Sequence, residues 1–224
     1  MIVPYLWSIM RWFLLLFPLW LTAQREVPLD ADFRFHDGVY FTPEALLANE
    51  PDADWSDISG EMVQLPEDFR VQIDSFGYKQ RRYTQPYAIS LDGLPYLLVR
   101  RDGQRTFYEF AGLRQVGRYA TVRYDTVMHT RQLMRAYNPA TGRPFREGWV
   151  ERNRRREVHR IVDMVTGHRY PLELPTVRQL VATERDIHDA LNRSSSEEEA
   201  RMIRALVLYN ERHPLLIPLQ QAND

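Results

Sequence analysis

The densest group of chemically active side chains is a run of arginines from Arg152 to Arg160. Its members are Arg152, Arg154, Arg155, Arg156 and Arg160. A guanidinium group binds phosphate or carboxylate through two parallel hydrogen bonds, and the neighbouring rings of Phe145 and Trp149 suit stacking. The run is therefore a candidate polyanion-binding site. Three glutamates are interleaved with it: Glu147, Glu151 and Glu157. This mixture is also typical of a strand edge that charge protects from aggregation.

Other residue types indicate no metal or cofactor site. None of the six histidines has the His-Glu-x-x-His spacing of a helical zinc site. His159 and His168 flank a predicted hairpin turn and could face each other across it. Between Asp52 and Asp57, acidic residues are spaced as at the start of a calcium-binding loop. The segment lacks the glycine at position six and the glutamate at position twelve of such a loop. We expect no metal and no cofactor.

Catalytic residues cannot be assigned from the sequence. The chain has no cysteine, which excludes thiol catalysis, disulfides and a lipid attached to cysteine. It has no Gly-x-Ser-x-Gly elbow and no glycine-rich phosphate loop, since its ten glycines are scattered through predicted turns. A non-catalytic binding protein is the leading interpretation, and a hydrolase whose site the sequence does not mark is the alternative.

Charge is unevenly distributed along the chain. Residues 24–78 carry 13 acids and 3 bases, residues 79–169 carry 19 bases and 8 acids, and residues 170–224 carry 9 acids and 6 bases. Such segments either compensate one another within the fold or leave a basic surface for an anionic partner. The partner we expect is an envelope protein or an anionic envelope component, and not nucleic acid.

The first 23 residues have the pattern of a secretory signal peptide. Arg11 precedes an apolar run from Trp12 to Leu21, and the small residue Ala23 is followed by polar residues. We expect cleavage after Ala23 and an exported protein, periplasmic or associated with the outer envelope, which is not a lipoprotein. Retention of the segment as an anchor is the alternative. Contact with the membrane is expected only through this segment.

The remaining chain, 24–224, predicts one α+β domain. Residues 24–61 form an acidic lead-in with a short helix after Thr42 and Pro43, and residues 62–174 are rich in alternating β patterns. Asp92-Gly93, Asp102-Gly103 and Gly112–Gly117 punctuate these strands. Residues 175–224 are helical, with a capping box from Ser196 to Glu199. The predicted fold is an antiparallel meander, a partial barrel or roll, with C-terminal helices packed on one side.

Two further segments share the order Asn/Asp, two residues, Thr-Gly. They are 138–145 and 163–170, and each predicts a tight turn that reverses a strand, because an Asx side chain can bond the backbone two residues on. Strands at 158–165 and 169–174 would form the second hairpin.

Three short motifs resemble an uncharacterised family of exported proteins of Gram-negative bacteria. They are the Asp37-Gly38-Val39-Tyr40 start, with Asn49-Glu50-Pro51 behind it, the central Leu91–Val99 stretch, and the Tyr209-Asn210-Glu211-Arg212-His213-Pro214 ending. The resemblance spans most of the chain after residue 24. It implies a location in the envelope and no assigned activity.

Overall fold

Antiparallel strands dominate the structure, a computed structural model that describes residues 26–78, 85–101, 107–193 and 198–218. Eleven strands are found in these ranges: β1 Glu26–Pro28, β2 Gly38–Tyr40, β3 Ile58–Leu65, β4 Arg70–Tyr78, β5 Ala88–Leu91, β6 Leu94–Arg101, β7 Tyr108–Gln115, β8 Tyr119–Tyr137, β9 Pro144–Asp163, β10 Arg169–Pro171 and β11 Leu216–Pro218. Four α-helices accompany them: α1 Pro43–Ala48, α2 Leu174–Leu180, α3 Arg185–Asn192 and α4 Glu199–Arg212. The predicted α+β class is confirmed.

The main sheet curls into a half-barrel because it branches at β7. Its order is β10-β9-β8-β7-β6-β5-β2, and β4 also pairs with β7 while β3 pairs with β4. β4 pairs with residues 108–111 of β7, and β8 pairs with residues 113–115, where the register shifts between Leu113 and Gln115. A bulge of this kind increases local twist and bends the strand. Strands β1 and β11 form a separate pair.

Turn chemistry explains the reversals that the sequence predicts. Asp92 and Gly93 both have positive φ, 53° and 73°, as a two-residue hairpin turn between β5 and β6 requires. Asp102-Gly103 lies outside the described residues. Gly112 does not punctuate the chain as predicted, because it continues β7 with the ring of Phe69 packed against it. The acidic segment after Asp52 contains a short 3-10 helix at Trp55–Asp57 and leads directly into β3.

Local capping sets the ends of the helices. Thr42 caps α1 by accepting a hydrogen bond from the Ala45 amide at 3.1 Å, and Asn49 ends that helix in the left-handed conformation. Helix α4 begins at Glu199 with Glu198 in the cap position. The capping box predicted at Ser196 lies outside the described residues.

The first four residues of β8, 119–122, are buried and face both sides of the sheet. Ala120 and Val122 belong to a cluster shared with α1 and β11. On the opposite face, Tyr119 packs with α2, α3 and α4, which form the predicted helical layer. A further cluster between β4, β6 and β7 contains Val71, Ile73, Tyr108 and Phe110.

One side chain joins the helical layer to the sheet. The Asn210 side chain accepts a hydrogen bond from the Tyr119 amide at 3.0 Å and donates one to the Tyr119 carbonyl at 2.9 Å. The amide thus satisfies both backbone groups of a residue at the start of β8. Gly117 makes this close approach feasible, since a Cβ there would lie 2.5 Å from the Asn210 amide nitrogen.

We expect Asn210→Ala to lower the free energy of unfolding by about 2 kcal/mol, since two partly buried hydrogen bonds of about 1 kcal/mol each are lost. Urea unfolding measures the change. Asn192→Ala on the exposed side of α3 is the matched control and should change stability by less than about 0.5 kcal/mol. Equal effects of the two substitutions would contradict the role of Asn210.

Candidate functional site

Strands β8 and β9 continue far beyond the core as a two-stranded arm, which we define as residues 125–157. The ladder between them is unbroken from Tyr119 opposite Asp163 to Ala136 opposite Arg146. From Met128 to Glu157, every residue whose side chain is described is exposed. At about 3.4 Å per residue, the arm projects about 40 Å.

A tight turn closes the arm at its tip. The Asn138 side chain accepts a hydrogen bond from the Ala140 amide at 2.9 Å, and the Gly142 amide donates to the Asn138 carbonyl at 2.8 Å. Asp163 makes the matching bond with the Val165 amide at 3.0 Å in the turn before β10. Both predicted Asx turns are confirmed, and the second hairpin joins β9 to β10.

The register sorts the arm's side chains into two faces, because directly paired residues in an antiparallel ladder lie on the same side. One face, here the arginine face, contains no acidic residue. Its members are Thr126, Met128, Thr130, Gln132, Met134 and Ala136 on β8, and Arg146, Gly148, Val150, Arg152, Arg154 and Arg156 on β9. Within the described chain, no carboxylate lies within ion-pair distance of its four arginines.

The opposite face, here the balanced face, contains all the arm's acidic residues. Its four acids and three arginines are Asp125, Glu147, Glu151, Glu157, Arg131, Arg135 and Arg155. Arg131 pairs with Glu151 at 3.2 Å and Arg135 with Glu147 at 2.8 Å. Trp149 lies between these ion pairs opposite Leu133, and the residue is 64% exposed. This face therefore compensates its own charge.

The predicted binding residues are thus separated by the ladder. Arg152, Arg154 and Arg156 share the arginine face, Arg160 continues it at the base opposite Val122, and Arg155 lies on the balanced face. Arg146 joins the set although the sequence reasoning did not include it. The sequence contained a signal for this sorting: the three arginines have even numbers and the three interleaved glutamates odd ones, which is the parity of opposite strand faces.

A cleft of about 720 Å³ lies where the arm meets the helical layer. Its basic and acidic lining residues are Arg156, His159, Arg160, Glu157, Glu173 and Glu199. His159 Nδ1 lies 2.8 Å from Glu199 Oε1, and its Nε2 lies 3.6 Å from Glu157 Oε2. Because acids outnumber arginines here, the cleft is a poorer anion site than the arginine face.

The cleft also bears on the hydrolase alternative. An imidazole held by a carboxylate is part of the arrangement that activates a hydroxyl nucleophile. Thr126 supplies the hydroxyl among the lining residues, but it lies on the arginine face, and within the described structure no hydrogen bond joins it to His159. The described geometry therefore lacks a nucleophile and base in contact.

The remaining histidine and acidic candidates have structural contacts. The ring of His168 packs at a tilt against that of Tyr170, with centroids 4.4 Å apart. It does not face His159, whose carbonyl accepts a hydrogen bond from the Leu172 amide. Asp52 accepts a hydrogen bond from the Phe41 amide at 2.7 Å. Among the described residues, no group of three His, Cys, Asp or Glu side chains is placed to hold a metal ion.

The motifs of the family resemblance also stabilise the fold. Asp37 accepts hydrogen bonds from the Gly93 amide at 2.8 Å and from Asp92 and Ser90 at 3.1 Å, so the first motif holds the turn of the second. Asn49 accepts one from the His36 amide at 2.8 Å. Burial raises the pKa of Tyr40, whose hydroxyl donates to the His36 carbonyl.

The C-terminal motif adds an ion cluster between α3 and α4. Arg212 contacts Asp186 at 2.6 Å and Glu184 at 2.5 Å, and His213 contacts Glu184 at 2.8 Å. Hydrogen bonding from Arg212 lowers the pKa of Asp186 to about 2 and also lowers the pKa of Glu184. These are contacts between neighbouring helices, on a part of the surface distinct from the arm.

Comparison of the chain with known protein families, curated proteins and solved structures gives no significant match. None of the helices in the described ranges is both long and apolar enough to cross a membrane. The arm with its arginine face is therefore the candidate functional site, on the basis of its geometry and charge.

We expect the protein outside residues 125–157, here called the body, to fold without the arm. Replacing residues 127–155 by Asn-Gly joins Thr126 to Arg156, which already face each other in the ladder, through a favourable two-residue turn. Because the removed side chains are largely exposed, the free energy of unfolding should change by less than about 1 kcal/mol. Urea unfolding followed by circular dichroism measures it. A loss of several kcal/mol would show that the arm is part of the core.

Proposed function

We propose that this chain is a non-catalytic exported protein that binds a polyanionic partner of the cell envelope on the arginine face of its arm. The observation that carries the proposal is the separation of charge: four arginines lie on one face of a projecting hairpin, and every carboxylate of that hairpin lies on the other.

Unpaired arginines favour an external anion. Exposed arginines that already pair with carboxylates, such as Arg131 and Arg135 on the balanced face, gain little from binding a further anion. Those of the arginine face have no such partner in the described structure. Arg156 instead contacts the Met128 sulfur at 3.9 Å.

The spacing favours an extended ligand over a compact one. Residues two apart on a strand are about 7 Å apart, so Arg152, Arg154 and Arg156 form a row about 14 Å long, and Arg146 extends it to about 34 Å. A polymer or surface with repeated phosphate, sulfate or carboxylate groups can contact several of these guanidinium groups together. Each contact releases counterions, so binding should weaken steeply with salt, as it does for other polyelectrolytes.

A hydrolase centred on the cleft is the second candidate. It is supported by His159, which lies between Glu157 and Glu199 in the cleft. The two candidates differ in the residues they require, because His159, Glu157 and Glu199 all remain in the cleft when Arg152, Arg154 and Arg156 are replaced.

The test uses heparin as a model polyanion and two charge-matched triple variants. Arg152, Arg154 and Arg156, each changed to Gln, should weaken heparin binding at least roughly tenfold at low salt, because three phosphate- or sulfate-type contacts are lost. Fluorescence titration at several salt concentrations measures the dissociation constant and its salt slope. The slope should also become shallower.

The control changes Arg131, Arg135 and Arg155 to Gln, which alters the net charge equally but on the balanced face. It should bind heparin nearly as well as the original protein. If both triple variants lose binding equally, net charge and not the arginine face is responsible. If the original protein binds no polyanion at low salt, the proposed function is wrong.

Export is proposed from the sequence of residues 1–23 and from the resemblance of the three motifs to exported proteins of Gram-negative bacteria. An arm that displays unpaired arginines is consistent with an envelope location, where lipid phosphates and acidic glycans are exposed. The same location removes competition from cytoplasmic nucleic acid.

Expression of the full chain in a Gram-negative host tests export. We expect the periplasmic fraction to contain a protein whose first residue is Gln24, because signal peptidase cleaves after a small residue such as Ala23. N-terminal sequencing and intact mass identify the start, and Ala23→Arg should block the cleavage. Recovery of an uncleaved chain from the membrane fraction would instead support the anchor interpretation.

A further inference from the structure

The outer edge of β8 is free over most of its length. Strand β7 pairs with β8 only through Thr121 and Val122. From Arg123 to Tyr137, β8 therefore has β9 on one side and no strand on the other among the described residues. A long free edge presents unpaired backbone donors and acceptors and acts as a template for another strand.

The two edges of the arm differ in how they are protected. On the arginine face, β9 carries Arg146, Arg152, Arg154 and Arg156, and like charges of this kind prevent two β9 edges from pairing. Strand β8 has only uncharged side chains on that face, such as Met128, Thr130 and Gln132. On the arginine face, edge protection is thus present on β9 and missing on β8, whose charged residues Asp125, Arg131 and Arg135 lie on the balanced face.

We propose that β8 pairs in antiparallel fashion with β8 of a second copy of this chain, centred on Thr130. Thr130 is the midpoint of the free edge from Arg123 to Tyr137. This register therefore uses the whole edge and places the two bodies at opposite ends of the joint sheet. It also gives the two-stranded arm the additional strands that an isolated hairpin needs for stability in water.

Side-chain chemistry supports the same register. Symmetry about Thr130 places Val127 opposite Leu133 of the second copy, which is an apolar pair. It also places Asp125, which lies 3.9 Å from Arg70 in its own chain, opposite Arg135, which is a pair of opposite charge. Centring on the neighbouring rung at Arg131 would instead place that arginine against itself. Centring on His129 would place Arg123 opposite Arg135. Thr130 avoids both like-charge contacts.

The consequence for the molecule is a four-stranded sheet. A two-fold axis perpendicular to the sheet keeps equivalent faces on the same side, so the arginine faces of both copies become continuous. The inference does not depend on the proposed function, but it would double the basic surface available to a polyanion.

A single cysteine tests the pairing, because the chain has none of its own. Thr130→Cys places two thiols directly opposite each other, and mild oxidation should convert most of the protein into a disulfide-linked dimer. Thr141→Cys, at the exposed tip of the arm, is the matched control and should remain largely monomeric. Equal cross-linking of the two variants would overturn the proposal.

The register has its own test. A mixture of Met128→Cys and Gln132→Cys proteins should cross-link to each other faster than either cross-links to itself, because these positions are symmetric about Thr130. Preferential self-linking of either variant would overturn this register.

Sedimentation of the cysteine-free protein separates this inference from the proposed function. The original chain should be dimeric, and His129→Lys should raise the dimer dissociation constant several-fold because the new ammonium group then faces Arg131 of the second copy at two places in the joint sheet. Thr141→Lys adds the same charge at the tip of the arm and should not change it. Since His129 lies on the balanced face and all four arginines are retained, equal heparin binding by the two variants would show that the proposed function does not depend on the dimer. A chain that sediments as a monomer at all concentrations would overturn the dimer.

Discussion

The register between β8 and β9 is the constraint on which the arm depends. It is fixed inside the core, where Ala120 lies opposite Val162 and both are fully buried. Because the ladder then continues without a bulge to Ala136, burial at one end decides which side chains share a face at the other. A slip of one residue on β9 would bring its glutamates to the side now occupied by arginines. It would also expose Val162, so the core resists the slip.

The body supplies rigidity to this ladder mainly by satisfying backbone groups with short polar side chains. Asp37 holds the turn between β5 and β6, Asn49 ends α1, and Asn210 occupies both backbone groups of Tyr119 where β8 begins. Each bond lies where regular structure meets an irregular segment, and there an unpaired buried group would be costly. The short motifs that contain these three residues are therefore explained by the fold and need no catalytic role to account for them.

Sequence patterns of a few adjacent residues predict much of the fold, but they do not predict the arm. The Asp92-Gly93 hairpin, the Asx turns at Asn138 and Asp163 and the cap at Thr42 each depend on a few adjacent residues, so the sequence predicts them. The length of the arm cannot be predicted from the sequence, because an exposed strand lacks the alternating apolar residues that distinguish a strand from a loop. In the sequence, glutamates alternate with the arginines, a mixture that is also typical of a strand edge protected by charge. In a strand, even- and odd-numbered residues lie on opposite faces, so the arginines and the glutamates are separated. This separation can be predicted only once residues 144–163 are recognised as one continuous strand.

Separating the charges has an energetic consequence for the arm itself. Neighbouring arginines about 7 Å apart on an exposed face repel by about 0.6 kcal/mol per pair in water before salt screening, whereas the balanced face has no net repulsion. An isolated hairpin has little stability with which to offset this repulsion. Groups that neutralise the arginine face, or strands that extend the sheet, therefore stabilise the same conformation. Ligand binding and strand pairing would then favour each other through the order of the arm, without direct contact between the two sites.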